Sequence, residues 1–271
     1  MSRDDSCVMS VCLQNALDLS LPASPVLLKT RHSHWFQLSG HPDSLAPAGP
    51  GTVWKKRSPN SDDTEGRVYE ELQRDPLLQD IVPRYYRQVE YQGEQFIELQ
   101  DLLHGFQDPY MVAIDADAPT PEEHRLQAVT KLRYMQFREL QSSTCSEGFR
   151  IEAMKCRGSA PVTDLKTVKS SAEVLHTLDV FLGGREDMRQ RLLARLCDMR
   201  TKIDQSDYFK SREVVGSSLF IVYDDAKLGA WLIDFAKTNR LPEGRTVDHR
   251  APWAPGNHEE GLLFGFDRLI S

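Results

Sequence analysis

Residues 214–238 hold two apolar runs joined by a polar turn: Val-Val-Gly-Ser-Ser-Leu-Phe-Ile-Val-Tyr, then Asp224-Asp225-Ala226-Lys227, then Leu-Gly-Ala-Trp-Leu-Ile. Both runs are rich in β-branched and aromatic residues, which predicts a buried antiparallel hairpin. The second run ends in Ile233-Asp234-Phe235-Ala236-Lys237. An aspartate leaving a buried strand, with a lysine three residues on, suits a metal ion held beside an anion. It equally suits a carboxylate that only caps a turn.

Upstream, residues 35–38 and 52–57 predict short strands on either side of a Gly-, Pro-, Ser- and Ala-rich loop at 40–51. The second strand ends in base. A glycine-containing loop before a strand lysine is one way to cover and neutralise nucleotide phosphates, although strand lysines also simply face water. Residues 67–79 predict a short helix. Alternation over 82–91 and 94–99 around Gln92-Gly93 predicts a hairpin. It leads into Gln100-Asp101-Leu102-Leu103, either a hinge for adenine or a plain strand-to-helix junction. Residues 106–120 look irregular.

Thr120-Pro121-Glu122-Glu123 then opens a helix with a capping threonine, proline at the first helical position and a capping-box glutamate. Continued to about residue 140, it groups Leu126, Val129, Leu132 and Phe137, and leaves Lys131, Arg133, Tyr134 and Arg138 on the remaining surface. Ser170-Ser171-Ala172-Glu173 is a second capping box, and Gly183-Gly184 ends that helix. A third runs over 185–203, and residues 259–270 begin as a helix. Residues 1–33 show no clean period and predict a poorly ordered extension.

Hydrophobic content of 40% and charged content of 27% in 271 residues fit a soluble globular chain. No apolar run approaches the ~18 residues of a membrane span. Cys7, Cys12, Cys145, Cys156 and Cys197 are scattered, which predicts a reducing, cytoplasmic setting. The net charge of −7 gives no general reason to bind nucleic acid. Against it stands a basic island: residues 124–170 carry nine Lys/Arg and four Asp/Glu. Charges on a helix are usually a solvated face, but such an island also suits a small polyanion.

Several longer stretches stand out: Trp35-Phe36-Gln37-Leu38-Ser39-Gly40-His41, Lys56-Arg57, Gln100-Asp101-Leu102-Leu103 and Ala118-Pro119-Thr120-Pro121-Glu122-Glu123-His124. More specific are Ala128-Val129-Thr130-Lys131-Leu132-Arg133-Tyr134-Met135-Gln136-Phe137-Arg138-Glu139 and Gly148-Phe149-Arg150-Ile151-Glu152. Val215-Gly216-Ser217-Ser218-Leu219 and Leu232-Ile233-Asp234-Phe235-Ala236-Lys237-Thr238 complete the set. Together, in this order, they resemble the inositol polyphosphate kinase family, and within it the inositol 1,4,5-trisphosphate 3-kinases.

The resemblance implies a two-lobed α+β kinase-like fold, with an antiparallel-sheet N-lobe at 34–101 and an α/β C-lobe at 102–271. A helical inositol-phosphate-binding insertion at about 117–170 is truncated. It implies transfer of the γ-phosphate of ATP to the 3-hydroxyl of inositol 1,4,5-trisphosphate, in calcium signalling, with Mg²⁺ as cofactor. Lys56 matches the lysine on the ATP phosphates, and Gln100, Asp101 and Leu102 match the adenine hinge. Asp234 and Ser218 match the metal site. Lys131, Arg133, Tyr134, Arg138, Lys155 and Lys237 match substrate-binding positions.

The departures are as informative. The family has proline where Leu132 stands and glycine where Ala236 stands. Between Pro109 and Tyr110 this chain lacks a family segment with an Asp-x-Lys-x-Gly signature, which supplies a carboxylate beside the reactive hydroxyl and a lysine on the substrate. The same segment carries the basic helix through which the 3-kinases bind calmodulin. The expectation is therefore a kinase whose activity is impaired in this form. The alternatives are a non-catalytic splice form or pseudokinase that binds nucleotide or inositol phosphate, and an inositol polyphosphate multikinase.

Overall fold

The computed structural model describes residues 11–12, 36–37, 45–57, 64–115, 141–254 and 256–271. The basic helix expected over 120–140, with Lys131, Arg133, Tyr134 and Arg138, lies outside the described residues, as does most of the expected N-terminal extension. The first described pieces, β1 (Val11–Cys12) and β2 (Phe36–Gln37), pair in parallel.

The N-terminal sheet is built from two hairpins. β3 (Leu45–Gly49) pairs with β4 (Thr52–Lys56). The composition of residues 40–51 predicts a loop, yet Leu45-Ala46-Pro47-Ala48-Gly49 is the edge strand. A proline that cannot donate to a ladder is tolerated at an edge, and the register shifts between Pro47 and Gly49. α1 (Glu65–Arg74) is shorter than its apolar pattern suggests. It stops at an extended Asp75, because Pro76 disfavours a helical residue before it. β5 (Tyr85–Tyr91) and β6 (Glu94–Gln100) form the second hairpin. Gln92 and Gly93 at its tip both have positive φ, 51° and 79°, as a type I′ turn requires. The strand order is β3-β4-β6-β5.

The second sheet begins with β7 (Tyr110–Asp115), where an irregular segment was the expectation. Short α2 (Thr144–Glu147) precedes β8 (Arg150–Lys155). Helices α3 (Ser171–Leu182), α4 (Glu186–Gln205) and α5 (Asp207–Lys210) follow. Then come β9 (Arg212–Val215), β10 (Ser218–Tyr223), β11 (Leu228–Ile233), β12 (Lys237–Arg240) and α6 (Leu262–Ile270). The order β11-β10-β7-β8 makes β7 an inner strand, antiparallel to both neighbours. An inner strand buried on both faces reads as a continuous apolar run rather than an alternation, which is why Tyr-Met-Val-Ala-Ile-Asp carries no clear period.

Both faces of this sheet are covered. Val112, Ile114, Ile151, Leu219, Ile221 and Leu232 join the main core with Phe181, Leu196, Met199 and Phe266 of the helices. Met111, Ala113, Ala153, Phe220, Val222 and Ile233 form a second cluster with Leu103 on the opposite face. α3 starts on its capping box, with both reciprocal bonds between Ser170 and Glu173 present. No helix among the described residues is long and apolar enough to cross a membrane.

Candidate active site

A cleft opens between the two sheets. Its walls are apolar: Leu45, Val53 and Leu99 from the first sheet, Phe220 and Ile233 from the second. Gln100, Asp101 and Leu102 line it where the chain crosses from one sheet to the other, and Lys55 and Asp234 line it too.

Lys55 reaches its position through strand alternation. Val53 and Lys55 are the buried residues of β4, while Thr52, Trp54 and Lys56 lie on the less buried face. Lys55 Nζ donates to Asp234 Oδ1 and to Glu65 Oε1, the latter at 2.7 Å. Lys55 is 6% exposed, Glu65 2% and Asp234 9%. Burial pulls the Lys55 ammonium down, but the Asp234 and Glu65 carboxylates outweigh it and hold the group well above the usual lysine value. The expected phosphate lysine, Lys56, pairs instead with Glu94 of the neighbouring hairpin. A one-residue offset on a strand sends it to the other face.

The Asp234 turn is held from the first sheet's helix. Thr64 stands at the N-cap of α1 but makes no side-chain cap bond. Its hydroxyl donates instead to the carbonyls of Thr238 (2.8 Å) and Phe235 (3.1 Å). The Phe235 amide donates to Glu65 Oε1 (3.3 Å), and the Phe235 ring packs edge-on to Tyr69 at 5.2 Å. Asp234 itself has φ +67°, a left-handed conformation rare for a residue with a side chain. Ala236, where the family has glycine, is not among the residues of positive φ, so its methyl adds no such strain.

Ser218 starts β10 directly opposite Ile233, one residue from Asp234, and its hydroxyl donates to Asp115 Oδ1 at 3.3 Å. Asp101, expected at the adenine hinge, has its backbone committed: its amide donates to Gly51 (2.9 Å) and its carbonyl accepts from His104 (3.1 Å). Its carboxylate accepts from the Leu103 amide at 3.0 Å, a turn cap. The Gln100 amide is committed as well, donating to the Arg84 carbonyl at 2.8 Å.

Of the two expected substrate lysines among the described residues, Lys155 is not brought to Asp234, whereas Lys237 follows it by three residues. Lys155 lies opposite Met111, four residues up β7 from Asp115, roughly 14 Å at the usual rise per residue. It is 4% exposed and pairs with Asp108 at 3.0 Å. Lys237 is exposed on β12, opposite Val215, and makes no ion pair among the described residues. The Asp-x-Lys-x-Gly spacing does occur, as Asp225-Ala226-Lys227-Leu228-Gly229. It forms the turn between β10 and β11, at the far end of the sheet from Asp234, and Asp225 is paired with Arg157 and Arg185.

The donor set can be tested against a nucleotide and a metal ion. The apolar walls suit a flat ring, and Lys55 suits phosphate oxygens. Asp234 and Ser218 offer hard oxygen donors. No group of three or more His, Cys, Asp or Glu side chains among the described residues could by itself hold a metal ion. Mg²⁺ takes one or two carboxylates and completes its shell with water and phosphate, so a site for it needs no such cluster.

The profile described as "Inositol polyphosphate kinase" matches residues 96–271. An "Inositol-trisphosphate 3-kinase homolog" of Caenorhabditis elegans is 42% identical over 304 residues, covering 99% of this chain and 61% of the relative. "Inositol-trisphosphate 3-kinase A" of Homo sapiens is 39% identical over 269 residues, covering 87% and 58%. The chain thus spans about three fifths of the length of these curated relatives. Among solved structures, an inositol phosphate multikinase from S. cerevisiae in complex with ADP and Mn2+ superposes with a TM-score of 0.60 at 16% identity, over 81% of this chain and 96% of that one.

Proposed function

Because the chain belongs to the inositol polyphosphate kinase family, we propose that it transfers the terminal phosphate of ATP to the 3-hydroxyl of inositol 1,4,5-trisphosphate. The observation that carries this reading is the Lys55–Glu65–Asp234 constellation at the inner end of an apolar cleft, with Gln100 and Leu102 at the crossover. In the reaction the inositol oxygen bonds to the γ-phosphorus as the bridging oxygen leaves with ADP. Phosphoryl transfer asks the protein mainly to position two anions and screen their charge.

Each residue then has a physical task. Lys55 neutralises phosphate oxygens, and Glu65 fixes the lysine and ties α1 to the Asp234 turn. Asp234 and Ser218 would hold Mg²⁺, which supplies charge screening between the phosphates. Lys237 offers an exposed cation for a substrate phosphate. The proposed substrate helix with Lys131, Arg133, Tyr134 and Arg138 adds the rest of the inositol phosphate site. The proposed cytoplasmic setting and role in calcium signalling come from the same resemblance.

We propose further that turnover is slow compared with the relatives. The aligned length of 304 positions exceeds the 271 residues of this chain, which supports a segment missing here. The Asp-x-Lys-x-Gly segment and the calmodulin-binding helix are the proposed losses. The second reading, nucleotide or inositol phosphate binding without turnover, is favoured by the one Asp-x-Lys-x-Gly spacing lying at the wrong end of the sheet. Purified chain with ATP, Mg²⁺ and inositol 1,4,5-trisphosphate separates the two. Slow formation of a 3-phosphorylated product supports the kinase; ligand-dependent thermal stabilisation with no product supports the binding protein. Product at another hydroxyl would favour a multikinase.

A further inference from the structure

Strand β7 carries a second acid on the face of the second sheet that borders the cleft. Alternate residues of one strand share a face, so Met111, Ala113 and Asp115 all point to the cleft side. Asp115 stands directly across from Ser218, and Ser218 directly across from Ile233, which precedes Asp234. Two strand spacings, about 10 Å, separate the backbones of β7 and β11. The result is a hydroxyl bonded to Asp115 on one side, with the turn that carries Asp234 beginning on the other, at one end of the sheet.

The β8 side fixes the new carboxylate. β8 carries a bulge: Ala113 faces Ala153, Ile114 faces Ile151, and Glu152 is left over. The shift of phase brings Arg150 opposite Asp115 and onto the same face. Arg150 is 3% exposed; its Nη2 lies 2.5 Å from Asp115 Oδ2, and its Nε lies 2.5 Å from Glu152 Oε1. Lys166 closes on the same glutamate at 2.8 Å. Burial pushes the Glu152 carboxyl up, but Arg150 and Lys166 outweigh it and hold it below the usual carboxylate range.

Such a row of buried ions adds little net stability, because desolvation offsets the attraction. What it does is orient Asp115: Oδ2 is committed to the guanidinium, while Oδ1 turns to Ser218. Metal-binding carboxylates are held in this way by an outer hydrogen-bonding group.

We propose that Asp115 is a second carboxylate ligand of the divalent cation, across Ser218 from Asp234, and that Arg150 is the positioning residue that aims it. The proposal rests on the nucleotide-and-metal reading above and gives the chain a second acid near the Asp234 turn.

The test uses the full chain with Mn²⁺ as probe, titrated by its EPR signal with ADP present, while a fluorescent ADP analogue reports nucleotide binding alone. Asp115→Asn is expected to weaken Mn²⁺ about tenfold or more while the nucleotide still binds, and Arg150→Gln to weaken it by about tenfold. Asp115→Glu keeps the acid and its partner but displaces the oxygens by one methylene, so it tests the site where Asp115→Asn does not fold. It is expected to lose Mn²⁺ affinity severalfold. Wild-type Mn²⁺ affinity in either folded Asp115 variant overturns the proposal while leaving the kinase reading intact. Failure of the unaltered chain to bind nucleotide overturns both.

Discussion

Lys55 and Asp234 meet although they lie 179 positions apart, Lys55 on β4 of the first sheet and Asp234 in the turn that follows β11 of the second. The contact closes the cleft at its inner end and puts one cation and one anion where nucleotide phosphates would lie. Lys56, its neighbour in sequence, is tied up by Glu94. Lys55→Met is therefore expected to lower kcat by about 10²–10³-fold, the cost of removing one preorganised charge-stabilising donor. Lys56→Met should leave kcat within a few-fold of the unaltered chain. Steady-state kinetics on the two variants checks this, and equal losses would contradict the placement.

Gly148, in the turn between α2 and β8, packs closely against Gly265 of α6. A methyl at Gly148 would lie 2.5 Å from Phe264 Cδ1 and 3.0 Å from the Gly265 amide nitrogen, and Gly148 has φ +72°. Both the clash and the left-handed backbone oppose any side chain. Gly148→Ala is expected to destabilise the protein by about 2–3 kcal/mol. Denaturant unfolding followed by tryptophan fluorescence measures it; a change under 0.5 kcal/mol would show that α6 shifts freely.

Ser170→Ala offers a contrast. It removes the cap bond to the Glu173 amide (3.2 Å) and one half of the reciprocal box at the start of α3. The expected loss is about 1 kcal/mol of stability. The cap stands on a helix behind the sheet, so nucleotide affinity should not move, and binding of the fluorescent ADP analogue checks that.

Arg250 ties α4 to α6, with Nη1 on Asp204 at 2.8 Å and Nε on Asp267 at 2.7 Å. Arg250 holds the Asp204 carboxyl below its usual range. At Asp267 burial pushes upward, but Arg250 and Arg200 outweigh it and the carboxyl is again held low. A carboxyl depressed in the native state favours folding above its unfolded value near pH 4, and that contribution fades as pH falls through the folded value. Arg250→Gln should therefore raise the midpoint of acid unfolding by a few tenths of a pH unit. Its effect at neutral pH should stay below about 1 kcal/mol, because these groups are partly exposed. Circular dichroism across an acid titration reads both.

Local patterns in the sequence carry the β10–β11 hairpin, the β5–β6 hairpin and the α3 cap, because each depends on neighbours a few residues away. Lys55 was hidden by its adjacency to Lys56. Two lysines in a row leave the choice to strand phase, and only the buried Val53 two residues earlier decides it. Glu65 gave no signal, since its partners, Lys55 and the Phe235 amide, lie 10 and 170 residues away. Arg150 was legible as one charge of a basic island and as a member of the Gly148–Glu152 motif, with no role attached to it. Its meeting with Asp115 depends on the bulge at Glu152, which no periodicity announces. β7 was missed for a related reason: an inner strand without alternation looks like a stretch of nothing in particular.

The place of β7 also limits how this chain can change length. Its start is anchored by Asp108, which holds Lys155 at 3.0 Å and the Gly158 amide at 3.1 Å, and its Tyr110 ring lies flat on Tyr223 at 4.6 Å. Its end is anchored by Arg150. With both ends fixed, one residue added inside the strand has no loop to absorb it. Every side chain beyond the insertion would change sides, sending Asp115 among the helices and Ile114 into the cleft. Two added residues would restore the sides but detach one anchor. The strand is therefore a gauge of fixed length: differences in length among relatives should fall before Tyr110, and variation within residues 110–115 should consist of substitutions.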